Sequence, residues 1–401
     1  MRRWVVPTGG LIAGAILGAL LMLAVQGSSA ELASTTTSLP ELPSPSPTDA
    51  SQATTMPKEP PPSDEVLLVW TPGGLPSGFG EAVDALEGVV GVTIVRSDLI
   101  HIVSSTPSSD LAPGFVIPLE VMGFDSDTYQ AFIAKKDAGL FGTLGANEIL
   151  LGATSARLRG LQDGDVITLE DGRSLTVAGI VDDVLIGAAE GAVRVRDADQ
   201  LGVTTERYLL IRHQSSRVTV EMAVRSLLGR DTAVRVRAPG ETPVLRHGDA
   251  VLPQVLIKEQ FGEFAYRPDG NGGFEVDGEW LEANIVTVDV PLLGPVTCHR
   301  NLISALIGAM TELEESNLGF LVATEGSQGC FNPRFIANRR DISRHAWGAA
   351  VDINIGTNPA GVESAQDPRL LAVMERWGFT SGHDWLIPDP GHFEYLRPAA
   401  P

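Results

Sequence analysis

The chain has 401 residues, 43% of them apolar and 20% charged, which places it among globular proteins with room for two or three domains of about 100–200 residues each. Its 29 Lys and Arg face 50 Asp and Glu, a formal charge of −21. Such a surface repels phosphate backbones and anionic lipid, which argues against nucleic acid as a partner and against a polybasic membrane mode. With only two cysteines, Cys298 and Cys330, a disulfide scaffold and every Cys-rich zinc module are excluded as well.

Met1-Arg2-Arg3 precedes a charge-free run of 23 residues, 4–26. A bilayer span needs about 20 apolar residues, so the run predicts a single transmembrane helix with the arginines inside and the rest of the chain outside. A cleaved signal peptide is the alternative, with its apolar core over residues 11–25 and a small-residue site at Ser28-Ser29-Ala30. Either reading exports residues 31–401. Residues 31–63 are rich in Ser, Thr and Pro, with eight prolines between Pro40 and Pro62. They cannot bury a core and predict an extended, disordered stalk.

From about residue 66, short β-branched runs are broken by Gly, Asp and Pro. Strands are predicted at residues 66–70, 92–95, 208–211 and 233–236, and helices at 80–86 and 218–228. Residues 166–169 and 174–177 flank Glu170-Asp171-Gly172-Arg173, the turn chemistry of a hairpin. His101 and His213 occur here, with no His, Cys and carboxylate cluster at ligand spacing, and the acids fall in turns, where Asp satisfies local backbone donors. The region reads as structural or partner-binding. Its stretch 148–183 (EILLGATSARLRGLQDGDVITLEDGRSLTVAGIVDD) resembles the extracytoplasmic domain of MacB- and FtsX-like ABC-transporter permeases, in which a helix, a Gly-Asp turn and a hairpin recur in that order. The resemblance implies a fold and a protein-contact role, not transport.

Five of the seven histidines lie beyond residue 246. In the block Ser343-Arg344-His345-Ala346-Trp347-Gly348-Ala349-Ala350-Val351-Asp352-Ile353-Asn354, apolar and polar residues alternate from Ala350 onward. A strand there presents Asp352 opposite its buried face. An extended chain places His345 more than about 20 Å from Asp352. To share one ion the chain must fold back, which Gly348 and the small Ala349 and Ala350 permit. A second block, Asp389-Pro390-Gly391-His392-Phe393-Glu394-Tyr395, sets His392 and Glu394 on one strand face with Asp389 in the turn before it. His, Asp and His, with one further carboxylate to handle a proton, meet the needs of a catalytic zinc site.

SRHAWGAAVD fits S-x-H-x-x-G-x-A-x-D, and DPGHFEY fits a D-x-x-H-F-E ending. With residues 325–338 (EGSQGCFNPRFIAN) and 261–267 (FGEFAYR) they resemble the M15 zinc peptidases, the D-alanyl-D-alanine carboxypeptidase and L-alanyl-D-glutamate endopeptidase group that cuts peptidoglycan stem peptides. The likeness spans roughly residues 255–401. It implies that His345, Asp352 and His392 bind zinc, that Asp389 is the catalytic base, and that Arg334 meets a substrate carboxylate in bidentate fashion. Some members of the group carry Glu in place of Asp389, so the bond that is cut stays open. Cys298 and Cys330, in an exported domain, are expected to form a disulfide. Ser343 is expected to cap a turn, and Trp347, Trp377 and Trp385 to fill core rather than line a substrate groove. An amphipathic helix is predicted at 302–315 and a second at 368–378, with Asp367 as N-cap and Pro368 at its first position.

The expected fold class is α+β: an N-terminal single transmembrane helix or signal (1–30), a Pro/Ser/Thr-rich linker (31–63), a β-rich α+β domain (64–245), and a zinc-peptidase domain (246–401) with a small antiparallel sheet. The expected protein is a membrane-anchored zinc metallopeptidase whose C-terminal domains lie outside the cytoplasm, or are secreted if the N-terminal segment is cleaved. Its expected partners are a peptidoglycan peptide substrate, the membrane through residues 4–26, a protein through residues 64–245, and no nucleic acid. The rival expectations are a non-catalytic zinc-containing docking protein of the cell envelope and an accessory subunit of an ABC transporter.

Overall fold

The structure, a computed structural model, describes residues 65–106, 111–323, 327, 329–337 and 340–396. Among them no helix is long and apolar enough to cross a membrane. The longest, Arg300–Glu315, has 16 residues and ends in glutamates; it rises about 24 Å at 1.5 Å per residue, short of a bilayer core. The expected fold class is corrected accordingly: the architecture is α+β with a closed β-barrel, and among the described residues no transmembrane helix supports a membrane contact. The run 4–26 and the linker 31–63 lie outside the described residues. Contacts divide the chain into residues 1–49 and 50–401, and every described residue belongs to the second unit.

Nine strands make the large sheet: β1 (Val66–Trp70), β2 (Val89–Ser105), β3 (Ile117–Phe124), β4 (Glu148–Gly152), β5 (Val166–Leu169), β6 (Ser174–Val181), β7 (Gly191–Arg194), β8 (Glu206–His213) and β9 (Arg235–Arg237). Their order is β3-β7-β4-β6-β5-β2-β8-β1-β9, and β3 also pairs with β2, so six strands close a ring. The 17-residue β2 makes closure possible. Its first half pairs with β8, its second half with β3 and, at the far end, β5. Alternate residues of all six ring strands, among them Ile100, Leu119, Ile149, Ile167, Leu175 and Val193, form one buried cluster that fills the barrel. The β5–β6 hairpin turns at Gly172, whose φ is +83°.

Beyond the barrel come two hairpins, β10 (Tyr266–Pro268) with β11 (Phe274–Val276) and β12 (Ile285–Val290) with β13 (Gly294–His299). A three-stranded antiparallel sheet follows, built from β14 (Ala350–Asp352), β15 (Phe379–Gly382) and β16 (Asp389–Tyr395), with β16 in the middle. The helix Arg300–Glu315 buries Leu302, Leu306, Ala309 and Leu313 in the core of this part. The helix Pro368–Arg376 starts where its sequence says, with Asp367 accepting from Arg369 N and Pro368 in the first turn. Trp377 lies so close to Gly308 that no side chain fits there.

The barrel is joined to this second part by buried charges. Lys258, fully buried on the helix Gln254–Phe261, lies 2.9 Å from Glu190 Oε2 and 2.9 Å from Glu263 Oε1, and also donates to the Pro118 carbonyl. Arg159 completes the group against Glu190 (2.6 Å) and Glu263. Burial works to raise Glu190, but the charges of Lys258 and Arg159 outweigh it and hold its carboxyl well below the usual range. Beside this group Tyr266 pairs with Val116, and its hydroxyl meets His101 Nε2 at 2.7 Å.

Candidate metal centre

The first block reverses direction within a few residues. Ser343 caps a one-turn 3-10 helix, Arg344–Trp347, its hydroxyl accepting from His345 N at 3.3 Å. Gly348 ends that turn with φ +62°, and a Cβ there would stand 2.7 Å from the backbone nitrogen of His299. Only glycine lets the chain turn back this close to β13. The turn returns His345 to the end of β14, where Asp352 sits directly across from His392 on β16.

Three atoms converge. His345 Nε2 lies 3.2 Å from Asp352 Oδ1 and 3.1 Å from His392 Nδ1, and His392 Nδ1 lies 3.1 Å from Asp352 Oδ1. Ligand atoms about 2.0–2.1 Å from a tetrahedral zinc are about 3.3 Å apart, so the triangle fits such an ion with a shift of a few tenths of an ångström. The donor set fits as well. His345 Nδ1 lies 2.9 Å from the Cys330 carbonyl, so that nitrogen carries the proton and Nε2 offers its lone pair. His392 Nε2 faces Glu394 Oε1 at 3.5 Å, which leaves Nδ1 for the triangle. Once His392 gives up its proton, two lone pairs and an anionic oxygen meet here, a donor set that suits a cation.

The electrostatics agree. Burial alone would raise Asp352, yet its hydrogen bonds with His345 and His392 hold it well below the usual carboxylate range. Burial works to lower His392, but hydrogen bonds to Asp352 and Glu394, together with their charges, lift it to about 9. Glu394 is itself kept low against its burial by His392 and by the Arg344 charge, and it accepts from Val251 N at 2.6 Å. Cys330, whose carbonyl orients His345, is joined by a disulfide to Cys298 at the end of β13.

A cleft of about 280 Å³ opens beside His392 and Glu394. Asp389, the first residue of β16, and Arg334, bridged to Gly273, both line it. Burial raises Asp389, the His392 charge opposes that shift, and Arg334 is close enough to add to the opposition. Trp347 is fully buried and Trp377 packs on Gly308, but Trp385 lines the cleft with its ring centroid 5.4 Å from that of His392, so the core expected for it is only partly right. Local sequence carried no sign of the opposite wall, which comes from the nine-stranded sheet: Trp70 on β1, Glu120 on β3 and Arg207 on β8. These residues lie more than 120 positions from the metal blocks, and only long-range pairing brings them there.

No curated relative matches the chain. By structure it is similar to the periplasmic region of MacB from Actinobacillus actinomycetemcomitans, at 10% identity and a TM-score of 0.30, over 43% of this chain and 88% of that one. It is similar also to the extracellular domain of the noncanonic ABC-type transporter YknZ from Gram-positive bacteria, at 12% identity and a TM-score of 0.30, over 43% of this chain and 99% of that one. Residues 337–395 match the D-alanyl-D-alanine carboxypeptidase family of M15 peptidases, so the segment that holds His345, Asp352, His392 and Asp389 is related to the peptidases of that family.

Proposed function

We propose that the chain is a zinc-dependent peptidase of peptidoglycan stem peptides, working outside the cytoplasm and removing a terminal D-alanine. The observation that carries this reading is the triangle of His345, Asp352 and His392, with edges of 3.1–3.2 Å, beside a cleft that holds both Asp389 and Arg334. The Cys298–Cys330 disulfide supports an oxidising compartment.

Zinc held by His345, Asp352 and His392 would polarise the scissile carbonyl as a Lewis acid and lower the pKa of a coordinated water to about 7. Asp389 is the group that takes a proton at a carboxylate oxygen and returns it to the leaving amine; its raised pKa suits a residue that must hold a proton between the two steps. Arg334 binds the substrate's terminal carboxylate through its paired N–H groups, which sets the register of the chain along the cleft. Glu394 and the Cys330 carbonyl keep the two imidazoles oriented.

The test is incubation of the full chain and zinc with defined stem peptides, with products read by mass. Loss of one terminal D-alanine is expected. Release between L-alanine and D-glutamate would make it an endopeptidase instead, and intact peptides would overturn the peptidase reading.

A further inference from the structure

Strand β3 runs from the buried charge group into the cleft. Lys258 donates to the Pro118 carbonyl, Glu120 N donates to Glu190 Oε1 at 3.1 Å, and Glu190 N donates to the Glu120 carbonyl at 2.9 Å. The backbone at residues 118–120 is therefore fixed by fully buried partners.

The Glu120 side chain lines the cleft that holds Asp389 and Arg334. Among the described residues its carboxylate has no hydrogen-bond or ion-pair partner. The nearby arginines are engaged elsewhere: Arg207 with Asp98 at 3.1 Å and Asp341 at 3.5 Å, Arg344 with the Leu252 carbonyl at 2.7 Å and Glu394 at 4.0 Å, and Arg246, which also feels the Glu120 charge, with the His247 carbonyl at 3.2 Å and the Ala250 carbonyl. Burial, Asp341 and Glu190 push Glu120 up to about 7, with Arg344 and Arg207 pulling the other way. A half-buried acid without a partner costs stability and gains nothing inside the chain. A rigidly held acid in a catalytic cleft is suited to recognition. The sign of its ligand follows from the neighbours. A substrate carboxylate here would add to the charges of Glu120, Asp341 and Glu190, whereas an ammonium would relieve them.

We infer that the barrel supplies a specificity-determining residue to the peptidase: Glu120 binds a side-chain ammonium of the peptide whose terminal carboxylate Arg334 holds. The inference deepens the peptidase reading and rests on it.

The experiment compares two peptides on the full zinc-loaded chain, Nα-acetyl-lysyl-D-alanyl-D-alanine and its Nα,Nε-diacetyl analogue, which lacks only the ammonium. The native chain is expected to favour the free amine by about tenfold in kcat/KM, the scale set by one buried charge-assisted contact. Glu120→Gln is expected to bring the ratio close to one, and Glu120→Asp, which keeps the charge, to retain part of it. Equal ratios in the native and Glu120→Gln proteins overturn the inference and leave the peptidase reading standing. If neither peptide is cut, the peptidase reading fails, and calorimetry with the same pair then decides on Glu120: a binding preference lost in Glu120→Gln supports it, and its absence overturns it.

Discussion

Asp352 and His392 face each other across the β14–β16 pair, with Oδ1 and Nδ1 3.1 Å apart. Register alone thus provides two of the three corners of the metal triangle, and the turn at Gly348 provides the third. The same contact predicts a pH dependence. In the metal-free protein His392 is raised to about 9, so at neutral pH a metal ion must displace its proton. Apparent zinc affinity is expected to rise about tenfold per pH unit from pH 7 to about 9 and then level off. Because the folded pKa exceeds the unfolded one, protonated His392 stabilises the metal-free fold fully below about pH 6.5. That contribution is lost as pH rises through about 9. Chelator competition and thermal melts between pH 6 and 10, with and without zinc, check both signs; an affinity flat over that range would refute the first.

Asp389 stands outside the triangle. Asp389→Asn is expected to leave zinc stoichiometry at that of the native chain while lowering kcat by about 10²–10⁴, the usual contribution of a general acid–base group. Elemental analysis beside steady-state kinetics separates this from His345→Ala, for which metal and activity are expected to disappear together.

The disulfide links stability to the metal centre through one carbonyl, since Cys330 O receives His345 Nδ1 at 2.9 Å. Replacing Cys298 and Cys330 by alanine is expected to lower stability by about 2–4 kcal/mol. Zinc affinity is also expected to fall, by about 10–100-fold, because the acceptor that orients His345 is no longer tethered. Denaturant melts and zinc titration measure the two effects; unchanged zinc affinity in the double variant would show that the carbonyl keeps its place without the bridge.

Lys258 is fully buried between Glu190 and Glu263. Lys258→Met removes one cation and leaves these carboxylates with Arg159 alone, a change expected to cost about 3–5 kcal/mol, as for other broken buried ion pairs. Urea melts followed by tryptophan fluorescence read the loss, and a midpoint within error of the native one would contradict the assigned role.

How far the sequence could be read depended on the distance between interacting residues. The alternation after Ala350, the glycine before it and the Asp367-Pro368 start are local signals, and the strand, the reversal and the helix followed them. Residues 92–95 were legible as a strand, but β2 extends to 17 residues because its two halves find different partners, β8 on one side and β3 and β5 on the other. Nothing local encodes that choice, nor the ring it closes. In sequence an aromatic beside a metal block resembles any other buried ring; the place of Trp385 in the cleft depends on the sheet wall opposite.

On the proposed reading, the covalent bond beneath His345 would also order events in time. A newly made chain with reduced thiols has the ligand residues but lacks the brace between β13 and the segment that presents Cys330 to the imidazole. On that reading, a chain kept in a reducing environment is expected to bind zinc more weakly than the oxidised one, so the proposed hydrolytic activity would be gained where thiols are oxidised.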